Sequence, residues 1–293
     1  MNQKINLKFI SNYSNDKDLN NLLQKFLIKG VHDNITISVD NPDYYVIINH
    51  PFYQNKKQYY ENDKTVYIYN EPESSRKTWD VWKLKETFLY DNKANWKHYD
   101  LDYNINDFIN KPIRKELNNL NKLTCVTTDL MMLEGHRLRM NFLPYLDRYL
   151  PQFDIEPVIY GRKKTGLYDR LNLKHYHGDC NKRDELLFPY YYHFMAENTK
   201  EKNYFTEKIL DPILTETLCF YWGCPNIKNY LHEKSFICVD LEKPNKALEI
   251  IVNSIKNNEY EKRLKYIKES KKKVIYELNP ITLIQNNIIE STK

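Results

Sequence analysis

The chain has 293 residues, of which 41% are apolar and 28% charged, a globular composition long enough for one large domain or two ordinary ones. Only 6 glycines are present, and neither a G-x-G-x-x-G run nor a Walker loop occurs, which argues against an ordinary NAD dehydrogenase and a P-loop NTPase. The net charge of +5 comes from 44 basic residues interspersed with 39 acidic ones, a balance that suits an anionic small substrate better than nucleic acid. Mean hydropathy is −0.74, and no apolar run approaches the ~20 residues of a membrane-spanning helix. Residues Met1 to Asn6 lack the apolar core of a signal peptide, and the five cysteines form no C-x-x-C pair. A cytoplasmic chain without an integral membrane segment is therefore expected.

In chain order, Lys4 to Ile10 reads as a strand and Asp16 to Ile28 as a helix stopped by Gly30. Ile35 to Val39, Tyr44 to Ile48 and Thr65 to Tyr69 are short β-branched and aromatic runs bounded by Asn, Asp and Pro, as buried strands are. Asn104 to Asn121, with Pro112 inside it, is the expected hinge. The pattern then restarts. Leu123 to Thr127 reads as a strand, His136 to Leu150 as a helix containing Pro144, and Ile155 to Tyr160 as a strand. Leu186 to Ala196 ends in an apolar segment, Thr206 to Thr217 reads as a helix, and Leu218 to Trp222 and Phe236 to Val239 as strands. Lys246 to Lys271 is a long charged helical region, and Ile281 to Ile289 a last short element. Strands alternating with helices on either side of a hinge predict two α/β layers with parallel sheets.

The segment Asn198 to Pro225 carries the most chemistry. Thr206 is a suitable cap for a helix whose free N–H groups, together with Lys208, would attract a diphosphate, and Glu207 in the same turn can accept from ribose hydroxyls. Glu197-Asn198, a five-residue spacer, Tyr204-Phe205-Thr206-Glu207-Lys208, a helix, then a strand closed by Gly223 and followed by Pro225 resemble the signature of the α-1,3/4-fucosyltransferases, most of all the compact bacterial members.

That resemblance implies GT-B architecture, with two Rossmann-like domains facing across a cleft. It implies an acceptor-binding α/β domain over 1–115, a nucleotide-sugar-binding domain over 116–255, and a C-terminal helical segment over 256–293 packing back on the first. It further implies an inverting hexosyltransferase that needs no metal and no cofactor. L-fucose would pass from GDP-fucose to a hydroxyl of a saccharide acceptor of N-acetylglucosamine or glucose type. Carried over by position, Asn198, Tyr204, Glu207 and Lys208 match nucleotide-sugar contacts, with Lys208 facing the diphosphate. Leu138-Arg139-Met140-Asn141-Phe142 resembles the helix with a phosphate-facing arginine, so Arg139 is the second phosphate ligand, with Arg137 two residues away as the alternative match. Asn70-Glu71-Pro72-Glu73-Ser74, directly after a strand, stands where the family has its general base. Glu71 matches best and Glu73 is the fallback.

Three further patterns compete. Asp100-Leu101-Asp102 has the form of a metal–diphosphate motif, although such a triplet is common by chance. His175-Tyr176-His177-Gly178-Asp179-Cys180 contains zinc-type ligands but lacks a fourth at a standard spacing. The aromatic run Phe188 to Phe194 reads as core packing.

Overall fold

The short β-branched runs pair as two separate parallel sheets. The computed structural model describes residues 4–49, 64–68, 70–76, 97–180 and 182–291, so Tyr69, the last residue of the fourth expected strand, lies outside the described residues. The chain divides into two units, one drawn from 1–98, 103–110 and 276–293, the other from 99–102 and 111–275.

The first unit contains β1 (Ile5–Ser11), α1 (Asp16–Leu23), β2 (Ile35–Ile37), β3 (Tyr44–Ile48), β4 (Thr65–Ile68), α2 (Glu73–Arg76) and α3 (Ile105–Asn110). Its strands run in the order β2-β1-β3-β4, all parallel, with Ile5 opposite Ile35, Leu7 opposite Tyr44 and Tyr45 opposite Thr65. Leu7, Phe9, Val46, Ile48 and Val66 are wholly buried, as a sheet covered on both faces requires. Asn15 caps α1 by accepting from the Asp18 amide at 2.9 Å, and Asn20 of that helix bonds both the N–H and the C=O of Phe9 at 2.8 Å. A side-chain amide thus locks helix to strand.

The last described element also belongs to this unit. The helix over Pro280–Ser291 buries Ile281, Ile284 and Ile288, and the preceding Asn279 donates to the Phe26 carbonyl at 2.9 Å. His32 Nε2 meets Thr282 Oγ1 at 3.0 Å.

The second unit contains β5 (Lys122–Val126), α4 (Glu134–Tyr149), β6 (Glu156–Tyr160), α5 (Leu167–Leu171), α6 (Arg183–Leu187), β7 (Tyr192–Ala196), α7 (Glu207–Leu214), β8 (Leu218–Trp222), β9 (Phe236–Cys238), α8 (Pro244–Lys256) and α9 (Glu259–Tyr276). The strand order is β6-β5-β7-β8-β9, again all parallel. Phe142 of α4 packs edge-on against Phe194 of β7, their ring centroids 5.2 Å apart. Pro144 and Pro212 both lie inside their helices without ending them.

The single charged helix expected over Lys246 to Lys271 is two helices. Asn257 and Asn258 separate α8 from α9, and Asn258 takes φ +48°, a left-handed conformation that asparagine tolerates. Helix α9 stays with the second unit up to Ile275. Lys271 bonds Glu216 at 2.8 Å and Ser270 bonds Ser235 at 2.9 Å. Of the expected 256–293 segment, the part from Tyr276 onward belongs to the first unit.

Lys115 in the second unit gives a test of stability. Its ammonium donates to Leu187 O at 3.0 Å, Thr215 O at 2.9 Å and Thr217 Oγ1 at 2.7 Å, and burial lowers its pKa while Glu216 opposes the fall. Lys115→Met would leave these acceptors without their donor. A loss on the order of 3 kcal/mol is expected in urea unfolding. A change below about 0.5 kcal/mol would show that the three bonds contribute nothing net.

Candidate functional site

In the second unit the connection out of β5 leads outward to β6, and β7 returns on the other side of β5. The carboxyl ends of β5 and β7 therefore flank a topological switch point, where open parallel sheets take ligands. Two helices begin there, α4 after β5 and α7 after β7.

The close approach of these segments depends on two glycines. A Cβ on Gly135, in the first turn of α4, would lie 1.8 Å from the carbonyl oxygen of Glu197, and the Gly135 amide instead donates to Asn198 O at 2.9 Å. A Cβ on Gly223, just past β8, would lie 2.4 Å from Glu197 Cγ. Glu197 is enclosed between them and fully buried.

Glu197 holds the start of α7. Its two carboxylate oxygens accept from the Thr206 amide at 2.9 Å and the Thr206 hydroxyl at 2.7 Å, and Oε1 also accepts from the Tyr221 hydroxyl at 3.2 Å. Burial raises its pKa, while Lys208, 3.9 Å away, and the Thr206 bonds pull it back. Thr206 in turn caps α7 by accepting from the Lys208 amide. The Lys208 ammonium lies 2.8 Å from Glu207 Oε1 and 3.2 Å from Thr206 Oγ1.

Asn198 and Arg139 meet on the α4 side. Arg139 NH1 donates to Ala196 O at 3.0 Å and Asn198 Oδ1 at 3.2 Å, and the residue is only 4% exposed. Its Nε has no hydrogen-bond partner among the described residues. Arg137, the alternative phosphate ligand, is exposed and donates back to Met132 O at 2.9 Å. Tyr204 is an interior residue, 2% exposed. Of the expected donor contacts, Asn198, Glu207, Lys208 and Arg139 are thus brought together around the β7–α7 connection.

Three participants were not singled out from sequence. Glu197 appeared there only as half of a dipeptide. A glutamate closing an apolar strand nine residues before a helix-capping threonine was the available signal. His136 accepts the Leu133 amide on Nδ1 at 3.2 Å and meets Asn198 Oδ1 through Nε2 at 2.9 Å. Its spacing of three from Arg139 places both on one helix face. Arg183 carried no sequence signal. Its NH1 lies 3.1 Å from Asp211, 3.4 Å from Asp100 and 3.8 Å from Glu207. It also lines a recess of about 310 Å³ with Thr127, Thr128, Gly161 and Arg162 at the ends of β5 and β6. Burial pushes the Asp211 carboxyl up to about 8, against the pull of Arg183.

The rival motifs are engaged in the fold. The Asp100 amide donates to Asp211 Oδ1 at 3.0 Å and the Asp102 amide to Asp184 Oδ1 at 2.9 Å, while the Asp100 carboxylate faces Arg183. His175 is paired with Asp147 at 2.8 Å, and Tyr160 stacks on His177.

In the first unit, Glu71 lies three residues beyond the end of β4. Asn49, at φ +65° beyond β3, accepts from the Asn70 amide at 3.1 Å and donates its own amide to Ile68 O at 2.9 Å. This bracket fixes the backbone leading into Glu71, which is half-buried, whereas Glu73 is exposed at the start of α2.

No family model matches the chain. Over 70 residues it is 34% identical to the α-(1,3)-fucosyltransferase FucT of Helicobacter pylori, a match covering 24% of this chain and 15% of that protein. A crystal structure of an α1,3-fucosyltransferase with GDP aligns over 89% of this chain and 81% of its own length, at 19% identity and a TM-score of 0.45. A crystal structure of the DNA-modifying enzyme β-glucosyltransferase aligns over 97% and 99% at 9% identity, with a TM-score of 0.55. The fold is GT-B. The resemblance to α-1,3-fucosyltransferases read from the sequence thus stands beside a local match to FucT, and the two-sheet GT-B framework extends over nearly the whole chain. No helix among the described residues is long and apolar enough to cross a membrane.

Proposed function

We propose that this GT-B chain is an inverting glycosyltransferase that moves L-fucose from GDP-fucose to a hydroxyl of a saccharide acceptor of N-acetylglucosamine or glucose type. The observation that carries this reading is the folding of Glu197 to Lys208 at the carboxyl end of β7, where Asn198, Glu207, Lys208 and the first turn of α7 gather beside Arg139 at the switch point. The local identity to a fucosyltransferase supports fucose as the sugar.

In this reading Lys208, Arg139 and the α7 amides receive the diphosphate, and Glu207 accepts from the ribose hydroxyls. Arg139 has donor capacity beyond its two bonds, since its Nε is unmatched among the described residues. Glu71 takes the proton of the acceptor hydroxyl as its oxygen attacks the sugar C1. The C1–O bond to phosphate breaks on the opposite face and GDP leaves with the electron pair. The cationic groups stabilise the charge that grows on the leaving diphosphate, and no metal or cofactor is invoked.

A calorimetric panel of GDP, UDP, dTDP and CMP with their sugars tests the reading. GDP and GDP-fucose are expected to bind, followed by transfer when an acceptor is added. The β-glucosyltransferase neighbour is described with uridine diphosphoglucose as its substrate. Exclusive binding of UDP compounds would therefore keep the glycosyltransferase and remove the fucose. Binding without hydrolysis or transfer would make the chain a nucleotide-sugar-binding protein, and no binding at all would end the reading.

A further inference from the structure

His136 lies at the junction of the two helix starts and has no role in the reading above. Two independent bonds define its imidazole. Nδ1 accepts from the Leu133 amide at 3.2 Å, which requires Nδ1 to be unprotonated. The ring proton is therefore on Nε2, which donates to Asn198 Oδ1 at 2.9 Å. Arg139 NH1 donates to the same oxygen at 3.2 Å. An oxygen receiving two donors must be the carbonyl of the amide, so the Asn198 orientation is determined. The Asn198 backbone is held as well, through the Gly135 amide on its carbonyl at 2.9 Å. The Asn198 Nδ2 group makes no hydrogen bond among the described residues.

We propose that His136 is a positioning residue that locks the Asn198 side chain with its amide N–H₂ presented to an acceptor atom of the bound nucleotide sugar. This rests on the reading of Asn198 as a donor contact. Leu133, just ahead of α4, fixes the ring, the ring fixes the amide oxygen, and the amide nitrogen becomes a fixed donor at the switch point. Burial holds the imidazole neutral down to about 4, helped by Arg139 and Arg137 on its own helix and by Lys208 on α7. The arrangement therefore persists throughout the neutral range. A protonated ring would lose its acceptor for Leu133 and bring a third cation beside Arg139 and Lys208.

The full chain tests this with GDP binding by calorimetry and donor kinetics. His136→Phe keeps the ring volume and removes both bonds, and donor KM and GDP Kd are expected to rise about 10-fold with kcat changed less than about 3-fold. His136→Gln supplies an acceptor and a donor at similar spacing and should restore both constants to within about 3-fold. Asn198→Asp keeps the oxygen for His136 and removes the outward N–H₂. If the two residues act as one unit, the double variant His136→Phe/Asn198→Asp loses no more than the worse single one, whereas a merely structural histidine makes the losses multiply. Thermal melts of each variant separate misfolding from misplacement. Nitrogen-15 shifts of the wild-type ring should show the Nε2–H tautomer, and an Nδ1–H tautomer overturns the proposal whatever binds. Wild-type binding of GDP together with an unchanged His136→Phe, or a folded His136→Gln as poor as Phe, sinks the proposal alone. A wild-type chain that binds none of the four nucleotides sinks the underlying reading and this proposal with it.

Discussion

Glu71→Gln should stop transfer, with kcat down on the order of 10³-fold, while GDP-fucose still binds with nearly wild-type affinity. Glutamine keeps the shape and hydrogen-bonding reach of the side chain and removes only the ability to take a proton. A base that acts on the acceptor hydroxyl contributes to the transition state and not to donor binding, so the loss belongs in kcat. The residue is a reasonable base on structural grounds. It follows the carboxyl end of β4, where the Asn49 bracket holds the backbone at Asn70, and it is half-buried. Glu73, two residues on, is exposed at the head of α2, and Glu73→Gln should cost less than about 3-fold. Steady-state kinetics with GDP-fucose and an acceptor panel, beside calorimetry with GDP, separate the two. An active Glu71→Gln with a dead Glu73→Gln would move the base to 73, and weakened GDP binding in Glu71→Gln would give the residue a different role.

How legible such features are in sequence depends on how local their causes are. Eight of the nine strands among the described residues were visible, because a buried parallel strand is a short β-branched or aromatic run between turn residues, and Leu218–Trp222 was placed to the residue, whereas β7 was read only as the apolar end of an aromatic stretch. The start of α7 was visible for the same reason, since its threonine cap lies next to the helix it caps. The break between α8 and α9 was not, because charged residues continue across Asn257 and Asn258 and only the left-handed backbone of Asn258 separates the helices. The buried polar groups were least legible. Arg139 reaches Ala196 and Asn198, 57 and 59 residues away, and Asp211 receives the Asp100 amide across 111 residues. No window of sequence contains both partners. For this reason the burial of Arg139 and of Tyr204 could not be read from the sequence. The assignment of the C-terminal segment divided similarly. Ile281, Ile284 and Ile288 bury one face of the last helix within the first unit, but Lys271 ties α9 to Glu216 in the second.

Removing the Lys208 ammonium should produce the other large effect. Lys208→Ala is expected to cut transfer on the order of 10²-fold or more, the scale of losing one preorganised charge at the leaving group. In the structure Lys208 sits in the first turn of α7 with its ammonium between Glu207 and Thr206 and within 3.9 Å of the buried Glu197. The variant therefore removes a cation from a site that keeps two carboxylates, and the remaining negative charge opposes an incoming diphosphate. Part of the loss should accordingly appear as weaker GDP binding, unlike the pattern at Glu71. Lys208→Arg keeps the charge and should recover part of the rate. With Lys208, Arg139 and the α7 amides supplying the positive charge, transfer should also persist in excess EDTA. On that reading Asp100→Ala should change transfer far less than Lys208→Ala, since the Asp100 carboxylate faces Arg183 at 3.4 Å. Activity that vanished with EDTA, returned with Mn²⁺ and was lost in Asp100→Ala would assign the diphosphate to a metal held by the Asp100-Leu101-Asp102 motif, and Lys208 would become a partner of Glu197 and Glu207 alone.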